Sequence, residues 1–316
     1  MITAVPAGYD VHAATPDEIP EIARTLIEYD LEVGGYSDFS EEDLQEITKR
    51  RSIFDIEKDA WVVRHEGGIA ALALTWGGNS DVLSAVGIVR QSHVGVGLGS
   101  FLVDCTEDRA RRLASSRPRR TIVLHNSVDM KDTGGIVLLG KRGYESVRRH
   151  YTMQMMLDHA IDPVVPPAIE IRTCRPSDAP LLHRLLQETF ADHWDHRPVS
   201  YEEWSDAFLS RKDTDASLWF LAEADGDPIG FLLGTFDGPR GWVSDLGVVS
   251  AWRRRGVGGA LLRHALAEFR RRGFTEAGLG VDAGNETGAV RVYERAGLQA
   301  VRIYETFEKT IGAGLD

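Results

Sequence analysis

The chain has 316 residues, of which 43% are hydrophobic and 27% charged, and a formal net charge of -12. That length exceeds what one small core organises and favours two domains of about 150 residues each. The acidic balance argues against nucleic-acid binding, which needs a basic footprint, and no apolar run approaches the roughly 20 residues of a membrane-spanning helix.

The opening residues, MITAVPAGYD, lack the basic start, apolar middle and small-residue cleavage site of a secretory signal. The only two cysteines, Cys105 and Cys174, fall in separate halves. These features predict a reduced, cytoplasmic protein with neither nucleic-acid nor membrane partners. They leave the oligomeric state open.

In chain order, the first landmark is Val11 to Pro20, whose apolar and proline positions recur at Ile171 to Pro180. The second is Val86-Gly87-Ile88-Val89 ahead of Gly97-Leu98-Gly99, echoed by Leu246-Gly247-Val248-Val249 ahead of Gly256-Val257-Gly258. Read this way, the first copy carries one extra residue between the two glycine groups. The third runs from Thr133-Gly134-Gly135 to Gly143-Tyr144 and returns as Thr287-Gly288-Ala289 to Gly297-Leu298. Three landmarks in the same order indicate a duplicated domain. The proline-rich segment Asp158 to Pro167 favours an extended connector, which predicts domains over 1–160 and 168–316 with a linker at 161–167.

In the second half, Ser177 or Asp178 can cap a helix through Leu181, Leu182, Leu185 and Leu186. Strands are expected at Leu218–Ala222 and Ile229–Leu233, joined by the turn Asp225-Gly226-Asp227-Pro228. A strand over Trp242–Val249 then runs through a glycine turn into an amphipathic helix. That helix places Leu261, Leu262, Ala265, Leu266 and Phe269 inward and Arg263, Arg270 and Arg271 toward solvent. A strand at Gly278–Val281, a helix at Gly288–Ala296 and a strand at Ala300–Glu305 complete the pattern. Both halves read as mixed α/β.

The turn Arg253-Arg254-Arg255-Gly256-Val257-Gly258-Gly259-Ala260 puts glycines where a strand enters a helix. Backbone N–H groups at such a helix start converge on an anion, the dipole favours negative charge, and the absent side chains admit a pyrophosphate. Three arginines add the local positive charge that the chain as a whole lacks. The alternative reading is a tight strand-to-helix connection without a ligand. In the first half, Gly95-Val96-Gly97-Leu98-Gly99 superficially suggests a dinucleotide fingerprint. Ser100 stands where that motif wants glycine, however, and a helix and several strands precede the segment.

At these residues the sequence resembles the GNAT acetyltransferase superfamily, whose pyrophosphate turn reads Arg/Gln-x-x-Gly-x-Gly/Ala. Asn285-Glu-Thr-Gly-Ala289-Val-Arg-Val-Tyr293-Glu-Arg-Ala-Gly297-Leu298 is similar to a later segment of the same family. The resemblance covers most of residues 170–310 and, in diverged form, about 10–155. In layout it is similar to the mycothiol synthases, which are tandem GNAT proteins, without implying their reaction. It implies an α/β (α+β) fold of two tandem GNAT-type domains, each a mixed, mostly antiparallel sheet flanked by helices. It also implies acetyl-CoA as acyl donor and the primary amine of a small molecule as acceptor.

Carried over residue by residue, the resemblance assigns the pantetheine arm to Leu246 and Val248, with the Val248 N–H facing the developing oxyanion. The pyrophosphate falls to Arg253, Arg254, Arg255, Gly256, Val257, Gly258, Gly259 and Ala260, and a further coenzyme contact to Asn285. Tyr293 takes the position of the acid that protonates the departing thiolate; its alternative is a plain core aromatic. Several relatives place a glutamate base where Trp242 stands here, and tryptophan cannot act as a base. Asp245 is the substitute candidate, although strand alternation puts it on the opposite face from Trp242 unless a bulge intervenes. The segment Asp192-His193-Trp194-Asp195-His196-Arg197 with Tyr201-Glu202-Glu203-Trp204 suits a cationic amine, which makes His193, Glu203 and Trp242 candidate acceptor contacts. It does not complete a metal-ligand set, so no metal is expected.

In the first half Val94 replaces Arg253, Lys131 replaces Asn285 and Leu139 replaces Tyr293, so that copy is expected to be non-catalytic. A second coenzyme site there would use Val89, Gly95, Gly97 and Gly99. Three functions remain open at this point: a small-molecule N-acetyltransferase, a non-catalytic acyl-CoA-binding or scaffold protein, and a protein N-acetyltransferase.

Overall fold

The computed structural model describes the chain except residues 1–3, 38, 50, 52, 118–120, 195, 210–213, 285–287 and 313–316. Two compact units form, one from Met1–Arg149 with Arg302–Asp316 and the other from His150–Val301. In chain order the first half contains β1 (Asp10–Ala13), α1 (Ile19–Gly34), α2 (Glu41–Thr48), α3 (Ile56–Asp59), β2 (Ala60–His65), β3 (Gly68–Trp76), β4 (Val82–Val89), α4 (Leu98–Ser115), β5 (Thr121–Asp129), α5 (Thr133–Lys141) and β6 (Glu145–Met156). The second contains β7 (Glu170–Thr173), α6 (Ala179–Phe190), α7 (Tyr201–Phe208), β8 (Thr214–Ala224), β9 (Asp227–Asp237), β10 (Arg240–Val248), α8 (Val257–Arg271), β11 (Glu276–Asp282), α9 (Ala289–Ala296) and β12 (Gln299–Gly312). Among the described residues no helix is long and apolar enough to cross a membrane.

The first unit orders its strands β1-β2-β3-β4-β5-β12 and the second β7-β8-β9-β10-β11-β6. In each sheet the pairing is antiparallel except for one central parallel pair, β4 with β5 and β10 with β11. The last strand of each sheet comes from the other half of the sequence. Residues 304–312 of β12 pair with β5, and residues 150–156 of β6 pair with β11. The units therefore divide at Arg149/His150 and Val301/Arg302, not at the 161–167 connector expected from proline content. The physical reason is strand pairing: the outer edges of β5 and β11 each need an antiparallel neighbour.

In the second unit β9 buries Ile229 to Leu233 continuously, as a strand covered on both faces does. It joins β8 through Asp225 and Gly226, whose φ values of 51° and 84° suit a tight hairpin turn. Helix α8 packs Leu261, Leu262, Ala265, Leu266 and Phe269, all 0% exposed, against the sheet. Phe269 occupies the space a side chain at Gly241 would need. Truncating such a buried phenylalanine to alanine costs about 3–5 kcal/mol.

Arg302 anchors β12 in the first unit, where it is 2% exposed. Its Nε donates to Asp129 Oδ2 at 2.6 Å and its Nη2 to Asp30 Oδ1 at 2.6 Å. Cys105 and Cys174 are free and buried, and burial pushes each thiol up to about 12.

Candidate active site

Within the second unit the parallel register of β10 and β11 ends at Val243 and Leu279, although β10 continues to Val248 and β11 to Asp282. The strands splay and open a slot. Val249 N–H donates to Ile229 O at 3.0 Å, so alternation turns the N–H groups of Val248 and Leu246 away from β9 and into the slot. An extended chain of amides can pair with this edge as a strand would.

At one end of the slot stands the start of α8. Gly256, at φ 87°, caps the helix, and the Ala260 N–H closes the first helical bond to Gly256 O at 3.0 Å. The N–H groups of Val257, Gly258 and Gly259 therefore have no acceptor inside the helix and point at an incoming anion. A Cβ on Gly258 would lie 3.4 Å from Leu246 Cδ2, so this position approaches the strand closely. Arg254 adopts φ 63°, a left-handed conformation that costs a non-glycine residue free energy. The first unit makes the same bend with Gly95 at φ 90°.

The cavity over slot and helix start measures about 620 Å³, and Arg253, Arg254, Arg263, Arg291 and Arg295 line it. The sequence reading placed Arg263 toward solvent and overlooked Arg291 and Arg295. Their spacing of four on one turn of α9 was the available signal.

Arg253 lines the cavity while its guanidinium bonds within the protein: Nε donates to Val248 O at 3.1 Å and Nη2 to Thr189 O at 3.2 Å. It clamps the turn against β10 and the end of α6. Arg255 stacks over Trp252, its guanidinium carbon 4.9 Å from the ring centre, and is not among the cavity-lining residues. Ala260 is buried in the helix with its N–H already bonded. Asn285 lies outside the described residues.

At the far end the cavity meets Asp245, Tyr293 and His193. The register of β10 on β9 shifts between Val243 and Asp245, leaving Ser244 as an extra residue. This bulge places Asp245 on the same face as Trp242, because their partners Leu233 and Thr235 share a face. Burial raises the Asp245 carboxyl from 3.8 to about 6. Burial, and then the negative charge of Asp245, pushes Tyr293 up to about 12, so at neutral pH the phenol keeps its proton. His193 packs on Phe190 with ring centres 4.3 Å apart.

Glu203 does not join this group. Its carboxylate accepts from Ser200 N–H at 3.1 Å in a capping box that starts α7. Trp242 lies across Gly278, where a Cβ would come within 2.7 Å of its ring, and is not among the cavity-lining residues. Trp204, from the same expected acceptor segment, is buried and stacks on Phe208.

The first unit repeats this architecture without its cavity-lining arginines. The β4–β5 register ends at Ala85 and Asn126, and Gly97, at φ 100°, caps α4. Val89, Gly95, Gly97 and Gly99 line a smaller cavity of about 340 Å³, and none of its described lining residues is lysine or arginine. Arg90 N–H donates to Ala70 O as Val249 N–H does to Ile229 O, so Val89 matches Val248 and Gly87 matches Leu246. The extra residue inferred from aligning Gly87 with Gly247 does not exist; the two glycines are not equivalent.

Comparison with known proteins agrees with this geometry. The acetyltransferase (GNAT) family profile matches residues 179–298. A mycothiol acetyltransferase of Thermobispora bispora is 34% identical over 147 residues, 43% of this chain and 48% of that protein. The chain thus spans about half the length of that curated relative. A GCN5-related N-acetyltransferase from Sphaerobacter thermophilus superposes with a TM-score of 0.85 at 29% identity over 99% of both chains. A tandem GNAT protein from the clavulanic acid biosynthesis pathway shares the fold, with a TM-score of 0.68 at 15% identity over 98% of this chain and 99% of that one. Residues 179–298 are therefore a domain of the acetyltransferase (GNAT) family, set in a chain with the tandem GNAT fold.

Proposed function

We propose that this chain is an acetyl-CoA-dependent N-acetyltransferase that moves an acetyl group to the primary amine of a small molecule by direct attack. The observation that carries this reading is one cavity lined both by the start of α8, with its unbonded N–H groups, and by the Asp245 carboxyl and the Tyr293 phenol. Acetyl-CoA matches it in chemistry. A pyrophosphate suits the free N–H groups of Val257, Gly258 and Gly259 beside Arg254. The pantetheine amides suit the exposed edge of β10.

In the proposed reaction the amine nitrogen attacks the thioester carbon and a C–N bond forms. The Val248 N–H donates to the oxygen that gains negative charge. Asp245, with a carboxyl near 6, is ionised at neutral pH and accepts the proton that nitrogen sheds. As the C–S bond breaks, Tyr293 protonates the leaving thiolate. The second unit performs this chemistry, because Leu139 stands at the Tyr293 position in the first and offers no proton.

Calorimetric titration with acetyl-CoA tests the binding step. Wild type is expected to bind, and Gly258→Arg, which fills the cradle, to lose that binding. Mass spectrometry of N-acetyl products from 2-aminoethanol, cysteamine, glucosamine and an amino-acid amide tests transfer. Turnover should fall on Tyr293→Phe and persist on Leu139→Ala. A folded wild type that does not bind acetyl-CoA overturns the reading.

A further inference from the structure

Strand β11 carries an anomaly: Gly280 is exposed between the buried Leu279 and Val281, in the middle of a strand. Its φ lies outside the left-handed region, so the backbone does not require glycine there. A Cβ added at Gly280 would meet nothing within 4 Å. Packing does not require glycine either. Glycine inside a strand lowers stability and marks a place where another group approaches the backbone closely.

The surrounding face shows what approaches. Trp242 crosses Gly278, so Gly278, Gly280 and Asp282 share the face of Trp242 and, through the Ser244 bulge, of Asp245. On the other side β6 sets Thr152 opposite Gly280 and His150 opposite Asp282. The end of α6 covers this face. A side chain at Gly247 would overlap Thr189 and Phe231, and Thr189, Phe190 and His193 line the same cavity as Gly280. The Trp194 ring stands 6.2 Å from that of His150. Gly280 is thus an open floor in a cavity that a carboxylate on β10, Asp245, and the rings of Phe190 and His193 also line.

We infer that Gly280 is the seat of the acceptor and the residue that sets its size, and that the acceptor is a slim, polar primary amine. Its nitrogen lies toward Asp245, which lines the same cavity. The inference rests on the N-acetyltransferase reading.

The test uses full-length Gly280→Ala and Gly280→Val with the amine panel above, alongside acetyl-CoA titration and thermal melting of each. Both variants are expected to melt no lower than wild type and to bind acetyl-CoA with Kd within about threefold. The kcat/KM for the best wild-type amine should drop about tenfold in Gly280→Ala through KM and at least 100-fold in Gly280→Val. A Gly280→Ala protein with unchanged acceptor KM overturns the seat alone. A wild type that binds acetyl-CoA but acetylates none of the amines overturns the functional reading and the seat with it.

Discussion

Asp245→Asn separates the proposed base from a merely structural aspartate, because it should stabilise the protein while disabling it. Burial lifts the Asp245 carboxyl from 3.8 to about 6. The folded state therefore holds the proton more tightly than the unfolded chain. Between those values the folded protein binds more protons, so stability falls as pH rises, and the full penalty is present above 6. A rise of about two units corresponds to about 3 kcal/mol, and water reaching the carboxylate through the cavity reduces this to about 1–3 kcal/mol. Asparagine keeps the shape and removes the charge.

Equilibrium urea unfolding of wild type and variant at pH 8 and at pH 4 measures the difference. The variant should gain about 1–3 kcal/mol at pH 8, and most of that gain should vanish at pH 4, where wild type is protonated. Removal of a general base typically costs 10²–10⁴ in rate, and wild-type kcat/KM should fall below pH 6 as the base takes up its proton. A stability difference independent of pH, or a variant less stable at pH 8, would refute the reasoning.

Arg302→Ala leaves Asp30 and Asp129 with an uncompensated buried charge and should cost about 3–5 kcal/mol, read as a lower melting temperature; an unchanged Tm would contradict the anchoring of β12. Glu203→Ala should cost about 1 kcal/mol from the lost cap of α7 and leave acceptor kcat/KM unchanged. A tenfold kinetic loss would return Glu203 to the acceptor site. Arg253→Ala should weaken acetyl-CoA binding about tenfold by calorimetry, because the turn loses its hold on the Val248 and Thr189 carbonyls. Arg253→Lys should not restore binding, since one ammonium cannot span both acceptors; full rescue by lysine would exclude the clamp.

Local signals carried much of this protein. Glycine spacing at Gly256 and Gly258 and the apolar stripe of α8 fixed a strand–turn–helix unit, because turn conformation and helix amphipathicity are set by residues close in sequence. The ordered echoes of the two halves likewise made the duplication legible. Gly87 was misaligned with Gly247 because identity of residue type is weaker than hydrogen-bond register. Glu203 was misassigned because a carboxylate three residues after Ser200 serves equally as a cap or a ligand until its surroundings are known.

The sequence by itself determined the duplicated α/β architecture, the glycine turn that opens α8 and the replacement of Tyr293 by leucine in the first copy. Only the tertiary structure decided which half supplies each closing strand, that Arg253 clamps two carbonyls and Arg255 stacks on Trp252 while Arg263, Arg291 and Arg295 line the cavity, and that Ser244 swings Asp245 onto the face of Trp242. These depend on pairing between residues far apart in the chain. A bulge or a strand exchange leaves local composition unchanged and alters only which edges and faces meet.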